Sequence, residues 1–203
     1  MHEKYDPGTY LVLANVLIPR DCDTAEKILR DGMKQFPSAA GFHLLLGHVH
    51  QSRGHHAEAF YEYQWELLRT GAARTEGADA ARRCAELVKK PSSSRELADL
   101  MTTVQEMQRN PQLASEMLAE MIRKQGEHFI LQLYEAEASQ NAGNFIHAAD
   151  VYRALILRDP GFVPAYVQLS ELLRQKGDLQ EAEQLLTKAR EIDDQHWRLQ
   201  HVP

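Results

Sequence analysis

Apolar, aromatic and small residues return along this chain in sets spaced three and four apart: Tyr10, Leu13, Ala14 and Leu17; His43, Leu46, Gly47 and His50; Tyr166, Leu169, Ser170 and Leu173. Positions i, i+3, i+4 and i+7 share one face of a helix, so each set predicts a helix with one buried stripe. Behind each follows a second set, Ala25 with Leu29, Ala59 with Tyr63, and Ala182 with Leu186. Gly54 and Gly177-Asp178 punctuate the space between. The pattern is one of helix pairs. Alanine adds a longer period, because Ala25 to Ala59, Ala114 to Ala148 and Ala148 to Ala182 are each about 34 residues apart. A small residue returning at that interval describes a helix-turn-helix unit that hides its apolar face only by stacking on copies of itself.

The remaining copies follow the same register with departures. Ala136, Gly143-Asn144, Ala148, Tyr152 and Pro160 fit, but Gln132, Glu135 and Ser139 stand where larger apolar residues are expected. Met101, Thr102, Asn110, Ala114 and Leu118 keep the spacing, with Arg109-Asn110-Pro111 in place of a glycine turn. The first copy, closing on Pro37, has a turn one residue short. A small residue at a helix crossing lets the neighbouring backbone in, and a larger one fills the groove beside it. In these residues the chain resembles the tetratricopeptide-repeat family, whose first helix reads W-x2-L-G-x2-Y and whose second reads A-x3-F and then P. The expected fold is all-α: a right-handed superhelical solenoid of about five helix-turn-helix repeats plus one extra helix.

The extra helix comes from a slip in register, since Ala59 to Ala114 is longer than one period. Ala81, Cys84, Ala85 and Val88 lie at helical spacing, so Glu76 to Lys90 predicts one unpaired helix, and Pro91-Ser92-Ser93-Ser94 reads as a stop followed by an N-cap. It is expected to cover the exposed side of the second repeat; the alternative is a flexible joint at Gly71-Ala72-Ala73 and the serine run. The organisation predicted is two repeats over 8–71, a non-repeat helix and linker over 72–94, three repeats over 95–196, and a tail over 197–203. In that tail Trp197 and Leu199 are the large apolar residues, expected to fold back on the last repeat or to meet another subunit.

Composition narrows the function. With 23 basic and 29 acidic residues the net charge is -6, which lacks the footprint of a nucleic-acid binder. The longest apolar run, Tyr10 to Ile18, is short of the roughly 20 residues that cross a bilayer. The expectation is a cytoplasmic protein without direct membrane insertion, periplasmic if a signal peptide has been removed. Cys22 and Cys84 make neither a disulfide framework nor a metal-binding spacing. Five of the ten histidines, His43, His48, His50, His55 and His56, crowd together, but none sits three or four positions from another on one predicted helix in the way a shared metal ion requires. His43 and His50 instead occupy the repeat's bulky packing places. Met101, Met107, Met117 and Met121 read as core filler. No phosphate loop or nucleophile elbow occurs. Catalytic residues, metal and cofactors are all expected to be none.

The family resemblance implies a ligand groove lined by first-helix side chains. Carried over by register these are Leu11 and Asn15; Leu44, His48 and Gln51; Glu96, Asp99, Thr103 and Glu106; Leu133, Tyr134, Glu137, Gln140 and Asn141; and Val167, Gln168, Glu171 and Arg174. The later copies are rich in carboxylates, so that half of the groove is expected to be acidic. The first two copies offer leucines and uncharged polar groups suited to an apolar or helical segment. Relatives that grip chaperone C-terminal tails use lysines and asparagines; here Asn15 fits, but Leu11 and Leu44 stand where lysine is expected and the third copy offers Glu96 and Asp99, which argues against an anionic tail as ligand. The function implied is a non-catalytic scaffold or adaptor for a protein or peptide that is basic or carries an apolar anchor. The alternatives are a self-associating assembly protein, hence a homo-oligomer, and the repeat portion of a larger regulatory or glycan-related enzyme.

Overall fold

Some helices in this chain begin where a short polar side chain caps them. Asp6 accepts from the Thr9 N–H at 2.8 Å, with Pro7 behind it, and opens α1 (Pro7–Leu17). Asp21 does the same for Thr24 at 3.0 Å and opens α2 (Cys22–Gln35). Asn110, followed by Pro111, accepts from Leu113 at 3.2 Å and opens α7 (Pro111–Gln125). The remaining helices are α3 (Phe42–Ser52), α4 (His56–Thr70), α5 (Thr75–Val88), α6 (Arg95–Arg109), α8 (Phe129–Asn141), α9 (Phe145–Arg158), α10 (Val163–Lys176) and α11 (Leu179–Ile192), followed by a 3-10 helix at Trp197–His201. This computed structural model describes residues 6–89, 94–126 and 128–201, and among the described residues there is no strand. The stop expected at Pro91, Ser92 and Ser93 lies outside them, whereas Ser94 accepts from the Leu97 N–H at 3.3 Å and caps α6. The period seen in alanine reappears in the helix starts: α2 and α4 begin 34 residues apart, as do α6, α8 and α10, and α7, α9 and α11. At Gly54, Gly143 and Gly177 the chain turns between paired helices with φ of 77°, 85° and 89°, a region that favours glycine.

The chain forms two compact units, Met1–Leu97 and Ala98–Pro203. In the first, α1 to α5 pack each on the next. Its core cluster joins Ala14, Ala25, Leu29, Phe42, Leu46 and Val49, with Tyr10, Leu11, Ile28 and Phe36 packed against it. The crossings are closed by residues without bulk. A Cβ on Gly47 would stand 2.2 Å from the Tyr63 ring, and one on Gly77 would stand 2.0 Å from the Gly71 carbonyl oxygen. That second contact means α5 is seated on the end of α4, and α5 also touches α3, much as α3 packs on α2 and touches α1. Burial pushes the Cys84 thiol on this helix up to about 12, so it is not a thiolate near neutral pH.

Charged side chains in this unit are buried for structural reasons. The N-terminus of α3 has no cap of its own; Glu66 of α4 supplies one, accepting from the Gly41 N–H at 2.9 Å and the Leu44 N–H at 3.3 Å. His43 is buried, stacked on Trp65 at 4.1 Å, with Nδ1 2.6 Å from Glu62 Oε2. Burial lowers the pKa of both His48 and His50. Around His48, Arg83 and Arg82 add to the shift and Asp79 opposes it; around His50, Glu62, Glu26 and Glu58 oppose it and Arg30 adds to it.

In the second unit α7 to α11 likewise pack in sequence, with Ala114, Ala148 and Ala182 buried at the crossings. The departures from the apolar pattern find their reason here. Glu135 and Ser139 are buried together: the Glu135 carboxylate accepts from Ser139 at 2.8 Å and from Ser115 of α7 at 3.3 Å, and lies 2.9 Å from His147 Nε2 of α9. Three helices are thus tied through one carboxylate whose hydrogen-bonding capacity is met. After Ile192 the tail turns back, and Leu199 joins the cluster of Val163, Tyr166, Val167, Leu186 and Ala189.

Two predictions come from this packing. Ala148→Leu or Ala182→Leu overpacks its crossing and lowers the free energy of unfolding by about 1–3 kcal/mol, measured by urea titration. The second is pH-dependent. Because folded His48 and His50 have pKa values below the ordinary 6.5, the unfolded chain binds more protons, so stability is full above that value and falls as pH drops through it. Chemical denaturation of the first unit at about pH 7.5 and about pH 5.5 should show this loss, and His48→Gln/His50→Gln should shrink it.

Candidate functional site

The side chains proposed to line a groove do not all reach an open surface. In the first unit Leu11 packs against the core cluster, and a Cβ on Gly41 would stand 3.2 Å from it. Asn15 is exposed, while Leu44 and His48 are half-buried. His48 lies edge-on to Tyr63 and 4.0 Å from Asp79 of α5. Gln51 is occupied, its Oε1 accepting from the Tyr63 hydroxyl at 2.7 Å. Gln140 plays the same part in the second unit, accepting from Tyr152 at 3.1 Å. Both glutamines therefore satisfy a tyrosine whose ring fills the crossing and whose phenol is pushed up in pKa by burial.

Three candidates are corrected outright. Thr103 and Leu133 are fully buried and Val167 nearly so, so none can line a groove. Each first-helix stripe is wider than the family register suggests, and these positions point between helices. Thr103 meets its hydroxyl's need at home, donating to the Asp99 carbonyl at 2.8 Å while Met121 Sδ lies at 3.9 Å. Leu133 has no polar group to satisfy, and Val167 belongs to the cluster beneath the tail. On α6, Glu96 and Asp99 are exposed and Glu106 is half-buried beside Arg109 at 4.0 Å. The Glu96 carboxyl is held below its usual range by hydrogen bonds from its own N–H and from Ser94. Tyr134 and Arg174 are half-buried and Asn141 is exposed.

What remains is a polar face on α8 and α10, the first helices of consecutive pairs. Gln168 of α10 donates its Nε2–H to Glu137 Oε1 of α8 at 3.1 Å, so adjacent inner faces are in hydrogen-bonding register. Glu171, one turn beyond Gln168, is exposed. Glu137 does not project into solvent as expected; burial raises its pKa, with Glu171 adding to the shift and Arg198 and Gln168 opposing it. Arg198 is the participant that repeat reasoning missed. It lies in the 3-10 helix of the tail, where its charge opposes the rise in the Glu137 pKa.

This arrangement has hydrogen-bond acceptors and charge but no nucleophile beside a base. Among the described residues no group of three or more His, Cys, Asp or Glu is placed to hold a metal ion, and no helix is long and apolar enough to cross a membrane.

Residues 141–201 match the family model described as tetratricopeptide repeat. No curated protein matches the chain. Among solved structures it is similar to YrrB, a TPR protein with an unusual peptide-binding site, at 20% identity over 98% of this chain and 92% of that one, with a TM-score of 0.42. It is similar also to the TPR2AB domain of yeast Sti1 in complex with pHSP90, at 17% identity over 98% and 87%, with a TM-score of 0.41. A third is MamA from Desulfovibrio magneticus RS-1, at 13% identity over 93% and 95%, with a TM-score of 0.41. The tetratricopeptide-repeat match is thus carried by residues 141–201, and helix pairs recur with a 34-residue period before that segment as well.

Proposed function

We propose that this chain is a non-catalytic interaction module that captures a basic segment of a partner protein on the inner face of α8 and α10. Repeat solenoids bind through the surface that their stacked first helices share. The observation that carries the reading is the Gln168–Glu137 hydrogen bond, which sets two adjacent first helices in register with the exposed Glu171 beside them. A lysine or arginine approaching this face meets two carboxylates in a partly desolvated setting, where attraction is stronger than in bulk water. Charge of this kind steers encounter and selects the partner's sign, and apolar neighbours supply the residence time.

A second reading, self-assembly, is favoured by one different observation. Between Pro7 and Pro19 there is no charged residue, and Val12, Leu13 and Val16 are exposed on one side of α1 at 67%, 48% and 57%. A helix that is apolar all round is ordinarily covered.

The first reading predicts that Glu171→Lys, an exposed site, weakens a partner identified by affinity capture about tenfold or more and flattens the salt dependence of binding. Calorimetry at two ionic strengths measures it, and unchanged affinity with an unchanged salt slope places the partner elsewhere. The second reading predicts a concentration-dependent oligomer in light scattering that Leu13→Glu abolishes.

A further inference from the structure

In the first unit α3 packs on α2 and touches α1, and α5 packs on α4 and touches α3. α1 opens that stack, and its outer side stands in solvent, with Thr9, Val12, Leu13 and Val16 all exposed. Thr9 and Leu13 form a ridge between two clefts, one lined by Gly8, Val12 and Val16 and the other by Tyr10 and Ile28. A ridge with a cleft on either side fits a second ridge of the same kind. The ends of this uncharged run carry opposite charge: Asp6 and Arg20 stand seven residues to either side of Leu13, and both are exposed. Two such helices laid antiparallel about a two-fold axis at Leu13 set Asp6 of each copy opposite Arg20 of the other, whereas a parallel pair sets like charge on like. A head-to-tail stack lacks a seat, because the 3-10 helix already packs on α10 and α11 at the end of the second unit, with Leu199 in the cluster there.

We propose that the outer face of α1 is a homodimer surface, closed by an antiparallel pair of α1 helices about a two-fold axis at Leu13. This rests on the self-assembly reading and gives it a symmetry: the assembly closes at two copies and does not grow into a filament. With 11 residues, α1 is about 16 Å long. A contact of that length falls at the small end of specific interfaces, so the dimer is expected to dissociate in the micromolar range.

The test uses the full chain. Light scattering over a concentration series should show monomer and dimer in equilibrium and nothing larger. In a thiol–disulfide redox buffer, with wild type and its Cys22 and Cys84 as background, Leu13→Cys should cross-link to itself. Thr9→Cys and Val16→Cys should each fail to cross-link alone and should cross-link when mixed. The antiparallel pair offsets each from its own copy by about 9–12 Å along the helix, beyond disulfide reach, but brings one nearly level with the other. Arg20→Glu should weaken the dimer about tenfold at low salt, and adding Asp6→Asn, which keeps a helix cap, should reverse most of that loss. Self-cross-linking of Thr9→Cys or Val16→Cys, Leu13→Cys no more cross-linked than wild type, a species larger than a dimer, or a dimer indifferent to Arg20→Glu overturns the proposal. In each of those cases an oligomer that Leu13→Glu still abolishes keeps the self-assembly reading, and a wild type that stays monomeric removes both.

Discussion

Two helices can approach only as closely as the side chains between them permit, and in this chain the separation is set at positions that have almost no side chain. Gly47 faces the Tyr63 ring, Gly77 faces the Gly71 carbonyl, and Ala114, Ala148 and Ala182 are buried at the corresponding crossings. Each admits a neighbour that a larger residue would hold off, and packing at that density leaves no room to absorb an added methylene. The consequence reaches the surface. Gln168 and Glu137 can exchange a hydrogen bond only because the helices bearing them are brought together at this spacing.

Close packing of helices creates a second demand, because helix ends and tyrosine hydroxyls are buried along with the apolar faces. The chain meets it with side chains that look, in sequence, like candidates for ligand binding. Glu66 caps α3 from a distance, Glu135 gathers Ser115, Ser139 and His147, and Gln51 and Gln140 each hold a tyrosine hydroxyl. Leaving any of these polar groups unmet would cost about 1–3 kcal/mol. Structural need therefore consumes part of the polar inner surface, and what is left for a partner is narrower than the full set of inner-face residues.

The remaining acidic face carries an electrostatic conflict of its own. Glu137 and Glu171 repel one another, and burial of Glu137 sharpens the conflict. A basic partner would relieve it in a complex.

Much of the fold was legible from residue spacing alone. Local periodicity and turn chemistry act within one or two turns of helix, so the helix pairs, the turns at Asp21, Gly54, Asn110, Gly143 and Gly177, and a helix expected over Glu76 to Lys90 and found at Thr75–Val88 could all be read before any contact was known. The candidate site was legible only in part. Register placed Glu137, Gln168 and Glu171 on first helices, but it could not tell Thr103, Leu133 and Val167, which turn into the core, from neighbours that turn outward. That choice depends on the angle at which helices cross, which is a property of pairs and not of a single stripe. Tertiary structure alone decided that Glu135 and Ser139 share a buried network with Ser115 and His147, that Gln51 and Gln140 are occupied, and that Leu199 packs back on α10 and α11. Those relationships are completed across helices, so no pattern within one helix encodes them. The sequence by itself determined the repeating helices; only their stacking decided which polar groups are spent within the fold and which remain to meet a partner.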